Sequence, residues 1–253
     1  MTSKLDATTK RCEVCPTESH CLIATIERQC DEPLRGTSAQ VRVLQKGQHI
    51  YRMAMDFDAV YTIRSGSVKT SFVNEEGTEH VSGFYLSGDM VGLDGIETLQ
   101  YQNDAVAMET TSICIFSFKT LMEISKTSNG LQRYLWLQAS REIASKQRLL
   151  LSIAHGGAES RVANFLLSLS KRYLAIGCSA KHFDLPMSRQ DIANYLGLSV
   201  ETVCRVLTRL QQTRTIQRQQ RTIDLENPAA LWQIALGQAS MRNLATDSAA
   251  LAV

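Results

Sequence analysis

Residues 188–212, SRQDIANYLGLSVETVCRVLTRLQQ, leave their part of the chain little conformational freedom, because they encode two short helices joined at a glycine. Ser188 is placed to cap the first helix, and Asp191, three residues on, is a relative of the capping-box acid. Ile192, Ala193 and Leu196 then supply one apolar stripe. Gly197 ends that helix, and Ser199 caps a second in which Val203, Val206, Leu207 and Leu210 recur at i, i+3, i+4 and i+7. With that face committed to a core, the opposite one is free and carries Glu201, Arg205, Thr208, Arg209 and Gln212, with Thr202 and Cys204 on its flanks. Such a set suits base edges. A carboxylate accepts from the cytosine amino group and an arginine pairs with guanine through two hydrogen bonds, each good pair discriminating by roughly 1–3 kcal/mol. A helical hairpin with a merely solvated face fits the periodicity equally well.

At 253 residues and 44% hydrophobic composition, the chain has material for two modest domains and is not generally disordered. No apolar run approaches 18 residues, and no hydrophobic segment follows the charges of MTSKLDATTKR, so the expectation is an unexported cytoplasmic protein with no membrane partner. A net charge of +2 says nothing about nucleic acid by itself. Between Gly156 and Pro228, however, ten Lys or Arg stand against six acids, an excess adequate for phosphate contacts.

Four of the seven cysteines fall within the first 30 residues. Cys12, Cys15 and Cys21 form a Cys-x-x-Cys-x5-Cys run, and Cys30 follows. Closely spaced thiolates converge on one soft metal centre, zinc or an iron–sulfur cluster, in a segment with too little apolar surface to hold a shape otherwise. A structural disulfide is the less favoured reading in a reducing cytosol. A cluster needs a fourth ligand. Spacing leaves Cys30, Cys114, Cys178 and Cys204 open, with His20 beside Cys21 as an alternative.

From about Val41 to Phe118, short runs alternate with glycine turns; 60–63, 68–73 and 112–118 read as strands of an antiparallel β-roll or jelly roll. Residues 129–153 read as the longest helix. A heptad phase puts Trp136, Ala139, Ile143, Lys146, Leu150 and Ile153 on one seam, five of them apolar, as a two-helix interface requires. After His155-Gly156-Gly157, a candidate hinge, 159–174 form another amphipathic helix. Residues 215–218 and 221–225 read as two strands of a wing around Gln219-Gln220, a turn without the usual Gly or Asn. Residues 231–236 add a last helical turn. The expected organisation is α+β: a cysteine-rich segment at 1–35, a β-roll at 36–128, a pairing helix at 129–155, a winged helix-turn-helix at 156–236 and a disordered tail at 237–253.

QDIANYLGLSVETVCRVLTRLQ resembles the helix-turn-helix of the CRP/FNR superfamily of bacterial transcription regulators, whose recognition helix follows Glu-Thr-Val-x-Arg, here Glu201, Thr202, Val203, Cys204 and Arg205. The N-terminal cysteine spacing is similar to that of the oxygen-responsive FNR branch, which takes its fourth ligand from a strand following Glu-Thr. In METTSICIFSFKTL that ligand is Cys114. The resemblance implies a [4Fe-4S] cluster on Cys12, Cys15, Cys21 and Cys114 that forms without oxygen and frees the long helix to build a homodimer on double-stranded DNA. It also implies contacts with RNA polymerase, for which residues 74–79 and 113–119 are candidates.

The operator that the resemblance implies is TTGAT-N4-ATCAA. Glu201 and Arg205 would read the C·G pair of its core, with Thr202 on the flank. Val200 stands where the cyclic-AMP branch has an arginine and offers only apolar contact, while Arg189 would hold a phosphate. Cys204 departs from the usual serine, a better donor, so a relaxed or shifted preference is expected at the base it meets. Lys146 departs from the acid common in FNR proteins: two such lysines would repel across a two-fold, or each would pair with Glu142 of the partner subunit. Because no Lys or Arg lies between Lys69 and Lys119, the β-roll lacks the countercharge used by the cyclic-nucleotide branch, and cyclic nucleotides are expected not to bind. Two other functions compete: the same DNA-binding regulator under zinc or thiol control, and an iron–sulfur enzyme. The second lacks any acid–base or phosphate-loop constellation, and no catalytic residue is expected.

Overall fold

The computed structural model describes residues 40–237, and the chain divides into two compact units after Glu142. Eight antiparallel strands build the first unit: β1 Gln40–Leu44, β2 His49–Tyr51, β3 Ala59–Ser65, β4 Ser67–Val73, β5 Glu79–Leu86, β6 Met90–Val91, β7 Asp104–Ala107 and β8 Thr111–Ser117. They form two four-stranded sheets, ordered β1-β8-β3-β6 and β2-β7-β4-β5. Two of the strand candidates of the sequence, 60–63 and 68–73, lie within β3 and β4, and the third, 112–118, overlaps β8 except at Phe118. β3 is buried on both faces over its first five residues, because the sheets pack inward and helices cover the outside.

Helix α1, Phe118–Ser125, follows β8 directly, and α2, Asn129–His155, begins four residues later. Phe118 therefore starts a helix and does not end a strand, a correction to the sequence reading. Leu121 of α1 and Leu131 and Tyr134 of α2 enter the same core as Ile63, Val68, Tyr101 and Ile113.

The second unit contains the remainder of α2, then α3 Ala158–Ala175, β9 His182–Asp184, α4 Arg189–Leu196, α5 Val200–Gln212, β10 Gln217–Gln219, β11 Thr222–Asp224 and α6 Pro228–Ala235. Val162, Leu166 and Leu169 of α3 are buried, as are Ile192 and Leu196 of α4, Val203, Leu207 and Leu210 of α5, and Leu231 and Ile234 of α6. The wing is a three-stranded sheet, β10-β11-β9. Its turn falls at Gln220-Arg221, one residue later than expected, and Gln220 adopts φ 52° in the absence of a glycine. The last helix is longer than the single turn expected, because the Asn227 side chain accepts from the Ala230 N–H and Pro228 opens it. Among the described residues no helix is long and apolar enough to cross a membrane. The cysteine-rich segment and nearly all of the expected tail lie outside the described residues.

Gly66 joins β3 to β4 at φ +87°, where a Cβ would sit 2.7 Å from the Thr110 carbonyl oxygen and 2.8 Å from Thr111 Cα. Gly66→Ala is expected to destabilise the first unit by roughly 1–3 kcal/mol, read as a lower urea midpoint; an unchanged midpoint would contradict the turn geometry.

Candidate functional site

Local hydrogen bonds fix both helices of the reading pair. The Ser188 hydroxyl accepts from the Asp191 N–H at 3.0 Å while Asp191 Oδ2 accepts from the Ser188 N–H at 3.1 Å, so the capping box is complete. Gly197 closes α4 at φ 62°, letting the Leu198 N–H reach the Ala193 carbonyl at 2.9 Å. The Ser199 hydroxyl then accepts from the Thr202 N–H at 3.2 Å and starts α5. On α5, Glu201, Arg205, Thr208 and Gln212 are exposed, and Val200, Thr202 and Cys204 are half-buried. Arg205 lies 3.7 Å from Glu201 and donates to the Thr202 hydroxyl at 3.3 Å. An exposed i,i+4 pair contributes only about 0.3–0.5 kcal/mol, so it orients the guanidinium without withholding it from a base.

Arg209, grouped by periodicity with the free face, is instead committed to the protein: its Nη1 donates to Glu159 of α3 at 2.8 Å. The neighbouring Arg161, to which sequence patterning gives no role, reaches further. Its Nε donates to the Gly156 carbonyl and its Nη2 to that of Ile153, both at 2.8 Å, while Nη1 approaches the Leu196 and Gly197 carbonyls at 3.2 and 3.4 Å. One cation thus caps the end of α2 and the end of α4, and it spans the glycine pair read as a hinge.

Arg189 is half-buried, and its Nη1 is shielded from solvent with no hydrogen-bond partner among the described residues. Burial, and then the like charge of Arg218 from β10, pull its pKa below the usual guanidinium value, with nearby Cys204 acting in the opposite sense. At the base of the wing, Asp224 of β11 hydrogen-bonds the His182 Nδ1 of β9 at 2.5 Å, and the Thr222 hydroxyl donates to Asp184 at 2.7 Å.

In the first unit, Cys114 of β8 stands directly opposite Val41 of β1 and Thr62 of β3, and the residue is only 6% exposed. Cys12, Cys15 and Cys21 lie outside the described residues. Among the described residues there is no group of three or more side chains able to hold a metal. On α2, Trp136 is 76%, Ile143 59% and Leu150 66% exposed, with Ala139, Lys146 and Ile153 half-buried on the same seam. Glu142 accepts from the Tyr85 hydroxyl at 2.7 Å, so any pairing with a partner's Lys146 would compete with an existing bond.

Family models for a cyclic nucleotide-binding domain and a Crp-like helix-turn-helix domain match residues 41–128 and 160–234. The transcriptional activator protein Anr of Pseudomonas protegens is 38% identical over 89% of this chain and 93% of its own length. The fumarate and nitrate reduction regulatory protein of Escherichia coli K12 is 34% identical over 88% and 90%. The chain belongs to the FNR branch of the CRP/FNR superfamily. As an FNR-type protein it is a DNA-binding transcriptional regulator and not an enzyme. Among solved structures, FixK2 from Bradyrhizobium japonicum matches with a TM-score of 0.72 and 28% identity, covering 78% of this chain and 96% of that one.

Within this FNR-type wing, hydrogen bonding to Asp224 and then its charge raise the His182 pKa above the usual histidine value. The pair therefore contributes stability that is fully present below the unfolded-state pKa and is lost as pH rises through the higher folded-state one. NMR titration should place the His182 midpoint above that of a histidine in an unfolded chain, and Asp224→Asn should bring it back; identical midpoints in the two proteins would contradict the pairing.

Proposed function

We propose that this protein is an oxygen-responsive regulator that pairs through α2 and binds a TTGAT-N4-ATCAA-like palindrome when a [4Fe-4S] cluster is bound. The observation that carries the reading is the face of α5, where Glu201 and Arg205 stand exposed and preoriented on a helix whose opposite side is wholly buried. In this reading Arg205 and Glu201 read a G·C pair, Val200, Thr202 and Cys204 border the same groove, and Arg189 holds a phosphate through a guanidinium nitrogen other than its buried Nη1.

Dimerisation is supported by the seam of Trp136, Ala139, Ile143, Lys146, Leu150 and Ile153, since large apolar side chains left in water along one helix call for a partner helix. The symmetry of the operator then matches a two-fold protein, and two half-sites held together bind far more tightly than one. A cytoplasmic location and contact with RNA polymerase belong to the same proposal.

Cys12, Cys15, Cys21 and Cys114 are the residues that would hold the cluster. The fit rests on this chain's own donor set: Cys114 offers a buried sulfur on a face where the Thr62 hydroxyl is also buried and unpartnered among the described residues. Bound there, the cluster would supply an oxidisable centre whose sulfur ligands tie the N-terminal segment to β8. Names of relatives such as the fumarate and nitrate reduction regulatory protein support the oxygen-responsive reading. Cyclic nucleotides do not act on this chain in the proposal, because its β-roll offers no cation between Lys69 and Lys119. Within that stretch Asp94 is instead engaged by Asn103 at 2.7 Å. Calorimetry with cyclic AMP should show no micromolar binding, and heat at that concentration would overturn this part.

Arg205→Ala should weaken operator binding by about 1–3 kcal/mol and flatten the preference at its G·C pair. Unchanged discrimination between operators differing only at that pair would remove Arg205 from the reading. For the cofactor, anaerobically prepared wild type should contain iron and sulfide near four of each per chain, and Cys114→Ala should lose most of both. A colourless, zinc-loaded wild type would replace the cluster with zinc control.

A further inference from the structure

The row of side chains across the β1-β8-β3-β6 sheet at Cys114 reads Val41, Cys114, Thr62, Met90. Directly opposed residues of antiparallel strands point to the same face, with Cβ atoms about 4.5–5.5 Å apart. Thr62 is therefore the immediate cross-strand neighbour of the thiol on its inner side. It is 1% exposed, and its Oγ1 has no hydrogen-bond partner among the described residues. A buried hydroxyl left unpaired destabilises a fold, and Val60, two residues back on the same face of the strand, is a buried apolar side chain. Valine would fill the same shape without that cost. The hydroxyl at this position has no hydrogen-bond partner among the described residues to account for it, and the strand register sets its residue directly beside Cys114.

We propose that Thr62 Oγ1 donates a hydrogen bond to the sulfur of Cys114 when that sulfur is a metal-bound thiolate, and so sets how readily the bound cluster is oxidised. This rests on the cluster reading above and adds to it a residue that is not a ligand. A donor to a ligand sulfur favours the more electron-rich state of an iron–sulfur centre, so the hydroxyl slows oxidation. Thr62 acts through Cys114 and is a positioning and tuning residue.

The test uses full-length wild type, Thr62→Val and Thr62→Ser, all prepared anaerobically. Iron and sulfide are measured first, then the rate at which visible absorbance decays in air-saturated buffer, with the iron–sulfur stretching bands recorded by resonance Raman. Wild type and Thr62→Ser should decay at similar rates and Thr62→Val several-fold faster, with its terminal stretching band displaced. A Val variant that loses its iron during preparation while the Ser variant keeps it would support the proposal equally. Iron-loaded wild type and Thr62→Val that decay at the same rate, with superimposable bands, would overturn the role of Thr62 alone. An iron-free wild type would overturn the cluster reading and this inference with it.

Discussion

The reading head is held by the guanidinium of Arg161. The carbonyls at the end of an α-helix have no partners within it, and a cation placed there satisfies them while complementing the helix dipole. Arg161 does this for the ends of α2 and α4 at once. α5 follows α4 through the short Gly197-Leu198-Ser199 turn, whose conformation is fixed by the left-handed glycine and the two caps. The Arg209–Glu159 ion pair braces α5 a second time, against α3. The last turns of α2 and the base-reading face are thereby parts of one hydrogen-bonded body. For the palindromic operator proposed above this matters, because its half-sites would recur at one helical turn of DNA, and a loosely jointed pair of heads would forfeit the gain from binding both.

A 27-residue helix with only Leu131 and Tyr134 buried, and with Trp136, Ile143 and Leu150 in water, is incompletely satisfied on its own. Its first turns are anchored in the β-roll core, and the Tyr85–Glu142 bond holds it one step further along. Burial and the adjacent Glu142 charge both push the Tyr85 hydroxyl well above its ordinary pKa. It therefore remains a protonated donor to that carboxylate throughout the physiological range. The apolar seam overlaps these anchors and runs on beyond them to Ile153, which is the arrangement expected of a surface completed by a second copy of the chain.

The reading pair was legible in the sequence because everything that shapes it is local: caps three residues from their targets, one glycine, and an apolar repeat at helical spacing. β3, β4 and β8 were legible for a similar reason, being seven residues long. The shorter strands were not, nor was β5, whose eight residues are interrupted by Gly83. β6 has two residues and β9 three, too few to show alternation, and β9 pairs with β11 some 40 positions away. Phe118 looked like the end of a strand because a β-branched and aromatic run passes into α1 without a glycine or proline. The roles of Arg161 and Arg209 depend on carbonyls and a carboxylate brought near only by folding, and a charged residue on an amphipathic helix gives no sign of such partners. Thr62 is likewise indistinguishable in sequence from any strand-forming threonine; only the register of β3 on β8 sets it beside Cys114.

The proposed oxygen-dependent pairing through α2 would join the cysteine chemistry to the DNA face, and the mass of the particle in solution measures it most directly. Sedimentation of anaerobically prepared protein, with iron determined on the same sample before and after admission of air, should give a dimer while iron is retained and a monomer once it is lost. The same mass in both states, with iron present in the first and absent from the second, would contradict control of the pairing helix by the cysteine site.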